Sequence, residues 1–205
     1  MADMRAFQEA VALWAAGGPE KPARELAESL GVRTAVLLEG LSDLAAVEAL
    51  AARRGRDLAA EGVCVVSMGG AMSVGRYAGL LGPPGLGLRL AGLCDVGEKG
   101  FFERGLTRAR APLDDLHVCA ADLEDELVRA LGMAEMEDVL RAAGDLRAWQ
   151  TFQRQPAQHG RASHQQVRRF LGTKKGRKIR YGRLLVEALA ADRTPPPLDG
   201  LLAAL

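Results

Sequence analysis

The chain has 205 residues, 48 % of them apolar and 26 % charged, with 9 prolines. That balance specifies one folded domain, or a domain with an appendage, and excludes collagen-like, low-complexity and wholly disordered chains. The formal charge of +1 is spread unevenly: residues 147–183 hold 11 basic residues and no Asp or Glu, leaving 16 basic against 26 acidic residues, a formal −10, in the rest. An acidic body joined to a basic segment points to a polyanionic partner, with nucleic acid the first candidate. His159, His164, Trp149, Phe152, Phe170 and Tyr181 lie among these cations and support that reading. The competing reading is a basic helix pair that neutralises the acidic body.

In chain order, Phe7, Val11 and Trp14 recur at helical spacing over residues 5–16. A second short helix over 23–30 ends at Gly31, after a break at Gly17-Gly18-Pro19. From Val32 the pattern becomes short apolar runs followed by helical stretches. Residues 34–38 precede a helix capped by Ser42; residues 63–67 precede Gly69-Gly70 and a helix through Tyr77. Residues 88–94 end at Asp95, and residues 116–120 precede a helix over 122–131. Strands alternating with helices predict an α/β fold with a mostly parallel sheet flanked by helices. Pro195-Pro196-Pro197 predicts a short extended linker, and the apolar residues 198–205 a tail docking on the body or on another subunit. The resulting division is a helical N-terminal extension (1–31), an α/β domain (32–145) and a basic helical C-terminal segment that completes it (146–205).

No apolar run approaches the ~18 residues of a membrane span. Met1-Ala2-Asp3-Met4 lacks the basic and apolar regions of a secretory signal, so a cytoplasmic location is expected. Cys64, Cys94 and Cys119 lie in apolar runs without zinc-like spacing and read as buried reduced thiols.

In parallel sheets, sites form at the carboxyl ends of strands, where loops converge and helix N-termini point in. Three of the four predicted strand ends carry acids: Glu39 and then Asp43, Asp95, and the cluster from Asp122 to Glu126. Asp43 and Asp122 also suit first helical turns or caps, and Asp95 a turn before Gly97. Glu39, between an apolar strand and Gly40, serves no turn or cap. Gathered carboxylates raise one another's pKa, a cost that a hard cation such as Mg²⁺ or Mn²⁺ offsets.

The run Val36-Leu37-Leu38-Glu39-Gly40-Leu41-Ser42-Asp43, then Gly69-Gly70, then Leu93-Cys94-Asp95, resembles the TOPRIM domain. The nearest branch is the nuclease part of the overcoming-lysogenisation-defect (OLD) family, whose E-G-x-S-D motif matches residues 39–43. The resemblance spans roughly residues 32–131, and more weakly the basic tail. It implies a metal-dependent DNA endonuclease using two Mg²⁺ or Mn²⁺ ions, with Glu39, Asp43 and Asp95 as ligands. TOPRIM domains usually carry D-x-D, whereas this chain reads Asp95-Val96-Gly97-Glu98, so either Glu98 substitutes or a ligand comes from elsewhere. In the OLD type a later acid completes the cluster, which points to Asp122 or Glu124, with Glu124 preferred. The family's lysine, followed by a small residue and then a helix, corresponds to Lys178, with Gly182 beyond it. Lys178 would stabilise charge on the scissile phosphate beside Glu39, the opening acid. Arg168, Arg169, Lys174, Lys175, Arg177 and Arg180 are the candidate phosphate contacts.

The chain contains no G-x-x-x-x-G-K-[ST] run, hence no P-loop. OLD nucleases carry an ATPase ahead of the TOPRIM domain, whereas only short helices precede Val32 here. Either the ATPase is a separate chain, which Phe7, Val11 and Trp14 would dock, or the protein works alone; of the two roles for these residues, covering the sheet is the favoured one. Tyr77 and Tyr181 are the only tyrosines and no large further domain offers a nucleophile, which argues against strand passage. Two alternatives remain: a TOPRIM module that binds DNA or a partner without cutting, and a nuclease acting on structured RNA.

Overall fold

The computed structural model describes residues 3–112 and 114–205. Two helices lead, α1 (Met4–Ala15) and α2 (Lys21–Leu30). They are followed by β1 (Thr34–Leu38), α3 (Leu41–Arg53), β2 (Val63–Ser67), a 3₁₀ turn (Ala71–Ser73) and α4 (Val74–Leu81). Next come β3 (Arg89–Asp95), α5 (Lys99–Arg108), β4 (Leu116–Cys119) and α6 (Leu123–Leu131). The remainder is helical: α7 (Met133–Ala142), α8 (Leu146–Gln153), α9 (Ser163–Leu171), α10 (Arg177–Ala188) and α11 (Pro196–Ala204). The strands form one parallel sheet in the order β2-β1-β3-β4, as the alternating apolar runs predict. Helix α5 had no counterpart in the sequence reading, because Gly100 and Gly105 within ten residues weaken its helical pattern.

Alternate strand residues feed two cores. Val36, Leu38, Val63, Val65, Ala91, Leu93 and Cys119 pack under α3, α6, α10 and α11. Ala35, Leu37, Cys64, Val66, Leu90 and Cys94 pack under α1, α2, α4 and α5. Phe7 and Val11 are fully buried on that second face and Trp14 packs against it, so these residues cover the sheet, and Phe7 and Val11 are not free to dock an ATPase. All three cysteines are free and buried. No helix among the described residues is long and apolar enough to cross a membrane.

Four local expectations change. Helix α3 is capped at Gly40, whose extended backbone carries no side chain, and the Asp43 carboxylate accepts the Gly40 N–H at 2.9 Å; Ser42 lies inside the helix. Asp95 is the last residue of β3 rather than the first beyond it. Lys178 is the second residue of α10 rather than a residue ahead of a helix. The proline run opens α11 instead of an extended linker, since Pro fits a first helical turn where no N–H partner is needed. Leu198, Leu201 and Leu202 of α11 are buried against the body, as a docking tail requires.

The aromatics of the basic segment are core residues rather than stacking platforms for bases. Trp149, Phe152, Phe170 and Tyr181 are all buried, Trp149 meets Phe170 edge-on at 5.5 Å, and the Tyr181 hydroxyl donates to Asp145 at 3.0 Å.

Candidate metal centre

Strands β1, β3 and β4 lie side by side with their carboxyl ends in register, Leu38 opposite Leu93 and Asp95 opposite Cys119. Their exits bring Glu39, Asp43, Asp95, Asp122, Glu124 and Lys178 around one pocket. The edge strand β2 supplies no acid. It supplies the glycine turn instead, where φ of +70° at Gly69 and +127° at Gly70 excludes most side chains. Through that turn the Gly70 N–H donates to the Glu39 carbonyl at 3.0 Å and the Met68 N–H to the Leu38 carbonyl at 2.9 Å. The backbone at Glu39 is thus fixed while its carboxylate stays at the pocket.

The two late acids differ in what holds them. Asp122 is the N-cap of α6: Oδ1 accepts the Asp125 N–H at 2.8 Å, and Oδ2 takes the Arg168 guanidinium. Glu124 is 4 % exposed, and its Oε1 lies 3.2 Å from Lys178 Nζ but off any hydrogen-bond direction, so that oxygen is buried without a hydrogen bond. Glu98 occupies the N-cap position of α5, half-buried outside the pocket wall, close enough to raise the Glu39 carboxyl.

Electrostatics mark the pocket as short of positive charge. Burial, then Glu124, pushes Asp43 up to about 7 against the opposing Gly40 N–H. Burial, then Asp122 and Asp43, pushes Asp95 up to about 7. Glu39 is raised by burial and then by Glu98, with Lys178 acting in the other direction. The donor set is all oxygen, a buried carboxylate oxygen without a hydrogen bond faces the pocket's one lysine, and Lys178 and Arg168 offset the mutual repulsion only in part. These features fit hard divalent cations. The carboxylates share the pocket without yet closing on a point: among the described residues no three His, Cys, Asp or Glu side chains stand as a preformed coordination group.

The basic segment divides into neutralised and free cations. Arg168 is taken by Asp122 and Lys178 faces Glu124. Arg177 is buried, donates to the Phe170 carbonyl at 3.1 Å and to Thr173 Oγ1 at 2.7 Å, and lies 4.1 Å over the Phe170 ring. That corrects its reading as a phosphate contact, because its guanidinium is spent inside the protein. Arg180 is exposed and donates to the Ala143 carbonyl at 3.0 Å. Arg169, Lys174 and Lys175 are exposed, and among the described residues they form no ion pair. Arg168 as the partner of Asp122 escaped the sequence reading, since nothing in the chain marks a pairing across 46 positions.

Residues 22–96 match the family described as overcoming lysogenization defect protein-like, TOPRIM domain. That span holds Glu39, Asp43 and Asp95, and leaves Glu98, Asp122, Glu124 and Lys178 outside. Among solved structures, the C-terminal region of the Burkholderia pseudomallei OLD protein is similar, with a TM-score of 0.61 and 21 % identity over 84 % of this chain and 96 % of that one. The C-terminal region of the Xanthomonas campestris pv. campestris OLD protein, phased with mercury, has a TM-score of 0.61 and 25 % identity over 84 % and 93 % of the two chains. No curated protein matches the sequence.

Proposed function

For a chain that carries an OLD-like TOPRIM domain, a fold of the metal-dependent nuclease type, we propose that the protein is a divalent-cation-dependent endonuclease that hydrolyses phosphodiester bonds in DNA. The observation that carries the reading is the placement of five carboxylates from three strand exits around one lysine, with Glu124 Oε1 buried without a hydrogen bond. Glu39, Asp43, Asp95 and Glu124 would hold the cations, Mg²⁺ or Mn²⁺ and two in number by family resemblance. Glu98 stands in reserve at the rim, where Gly97 replaces the usual second Asp. Asp122 serves the site from its cap position, fixing the N-terminus of α6 and hence Glu124. When bound, the cations would supply an activated water and neutralise charge on the attacking and leaving oxygens.

The chain's own groups do the rest. Lys178 Nζ exchanges its contact with Glu124 for a non-bridging phosphate oxygen and stabilises the added negative charge there. Arg169, Lys174, Lys175 and Arg180 hold the flanking backbone by charge. In this reading, residues 32–145 provide the carboxylates, residues 146–205 complete the site through Lys178, and residues 1–31 cover the far face of the sheet. The missing acid at Gly97 is the observation that favours the rival, a TOPRIM module that binds without cutting.

Supercoiled plasmid and structured RNA incubated with Mg²⁺ or Mn²⁺ separate the possibilities. Metal-dependent nicking of the plasmid should fall about a hundredfold or more in Glu39→Gln and in Lys178→Ala, the scale of losing a group that stabilises transition-state charge. Binding to DNA should persist in Glu39→Gln. Cutting confined to RNA would reassign the substrate, and salt-sensitive binding without cutting would favour the rival.

A further inference from the structure

The large apolar side chains left exposed on this protein are not scattered over its surface. Met72 is 83 % exposed, Val96 55 % and Leu41 54 %, with Phe101 and Ile179 also exposed; among the described residues Leu13 is the one such side chain elsewhere. Leu41 opens α3 two residues after Glu39, and Val96 follows Asp95 and donates its N–H to the Cys119 carbonyl at 3.0 Å. Met72 sits in the 3₁₀ turn after β2, and that turn is tied to Glu39 through the Gly70 N–H. Phe101 lies in the first turn of α5 with the Arg104 guanidinium 5.0 Å from its ring, and Ile179 is next to Lys178. Leu41, Val96 and Ile179 are each the immediate chain neighbour of a residue lining the carboxylate pocket, Gly40, Asp95 and Lys178, and Met72 lies two residues beyond the Gly70 that bonds to Glu39.

Such a rim is the wrong chemistry for a phosphate backbone, which is contacted by cations, hydroxyls and N–H groups. Alkyl and thioether side chains bury area only against the faces of bases or sugars. In a continuous duplex those faces are stacked and hidden; they are available in an unpaired strand or at an opened step, where proteins insert apolar wedges. The free cations Lys174 and Lys175 precede α10, the helix that carries Lys178 and Ile179, and they supply the charge complementary to the strand's phosphates.

We infer that Leu41, Met72 and Val96 form a base-binding collar around the pocket, and that the protein selects unpaired or frayed strands over intact duplex. The inference rests on the nucleic-acid reading above and names its substrate form.

The test is fluorescence anisotropy with a labelled single-stranded DNA, its blunt duplex, and the same strand with adjacent abasic sites, in Ca²⁺ to hold the complex. The native protein should bind the single strand at least about fivefold more tightly than the duplex, the low end of what stacking one base contributes. Abasic sites should remove that preference. A Met72→Ser, Val96→Ser double variant should bring the ratio of the two affinities towards one and become insensitive to abasic sites. Both side chains are exposed, so the substitutions leave the core intact. Equal affinities in the native protein, a preference that survives the double variant, or equal loss of both ligands would overturn the collar. Plasmid cleavage that depends on Glu39 would still stand in the first two cases, so the endonuclease and its collar fail separately.

Discussion

Glu39 and Glu124 are the same residue type at one pocket, yet they are held differently. Glu39 follows a buried strand and answers to Glu98 and Lys178, whereas Glu124 is buried on α6 with one oxygen against Lys178 but without a hydrogen bond. The crowding has a consequence for pH. Asp43 and Asp95 titrate near 7 in the folded protein and near 4 in the unfolded chain, so between these values the folded state binds more protons. Their contribution to stability therefore falls as pH rises from about 4 to about 7. On the proposed reading, bound Mg²⁺ would oppose this by neutralising the ionised pair. Thermal melts should show a larger Mg²⁺-induced rise in Tm at pH 8 than at pH 5; an equal or reversed effect would count against these residues as ligands. Glu39 was legible in the sequence because it has no other structural role between β1 and Gly40. The division of labour between Asp122 and Glu124 was not, because it depends on Arg168 reaching Asp122 from α9.

At the scale of elements, the crossing of α10 over α3 decides where Lys178 stands. A Cβ at Gly182 would lie 2.4 Å from the Ser42 carbonyl oxygen, far inside contact distance, so only glycine lets the two helices meet this closely. Arg53 Nη2 fastens the far end of α10 by donating to the Leu189 carbonyl at 2.8 Å. Gly182→Ala should cost about 1–3 kcal/mol of stability, typical of overpacking. It should also lower cleavage in folded protein at low temperature, because α10 carries Lys178 away from Glu124. Chemical unfolding and plasmid nicking of the same variant check both effects; full activity would show that the helix shifts without moving the lysine. Helix boundaries in this region were the least readable part of the chain. Gly40 replaces Ser42 as the cap because Asp43 reaches back to the backbone, and Pro195-Pro196-Pro197 opens α11 because the leucines behind it are needed against β3 and β4.

Across the whole molecule, the charge asymmetry seen in the sequence is real but partly consumed. Arg168, Arg177 and Lys178 face acids of the protein, and Arg177 is buried besides. Lys174 and Lys175, with Arg169, are among the cations left for a ligand's backbone. Each replaced by Ala should lower the slope of log affinity against log salt by about 1. Arg177→Ala should instead lower Tm, since it removes one buried partner of Asp145 and uncovers Phe170. The α/β alternation and the parallel sheet were readable because each strand is a compact apolar run between turn signals. The aromatics of the basic tail misled, because composition cannot tell a stacking platform from a core.

The site is also assembled late in time. Helices α10 and α11 close the face over α3, β3 and β4, far along the chain from the residues they cover. Contacts of that separation form slowly, and synthesis delivers the chain from its N-terminus. A nascent chain that has reached only α9 holds every carboxylate of the pocket but neither its lysine nor the helix that seats it. On the ribosome, the acids of the pocket precede the lysine that completes it by the whole length of the closing helices.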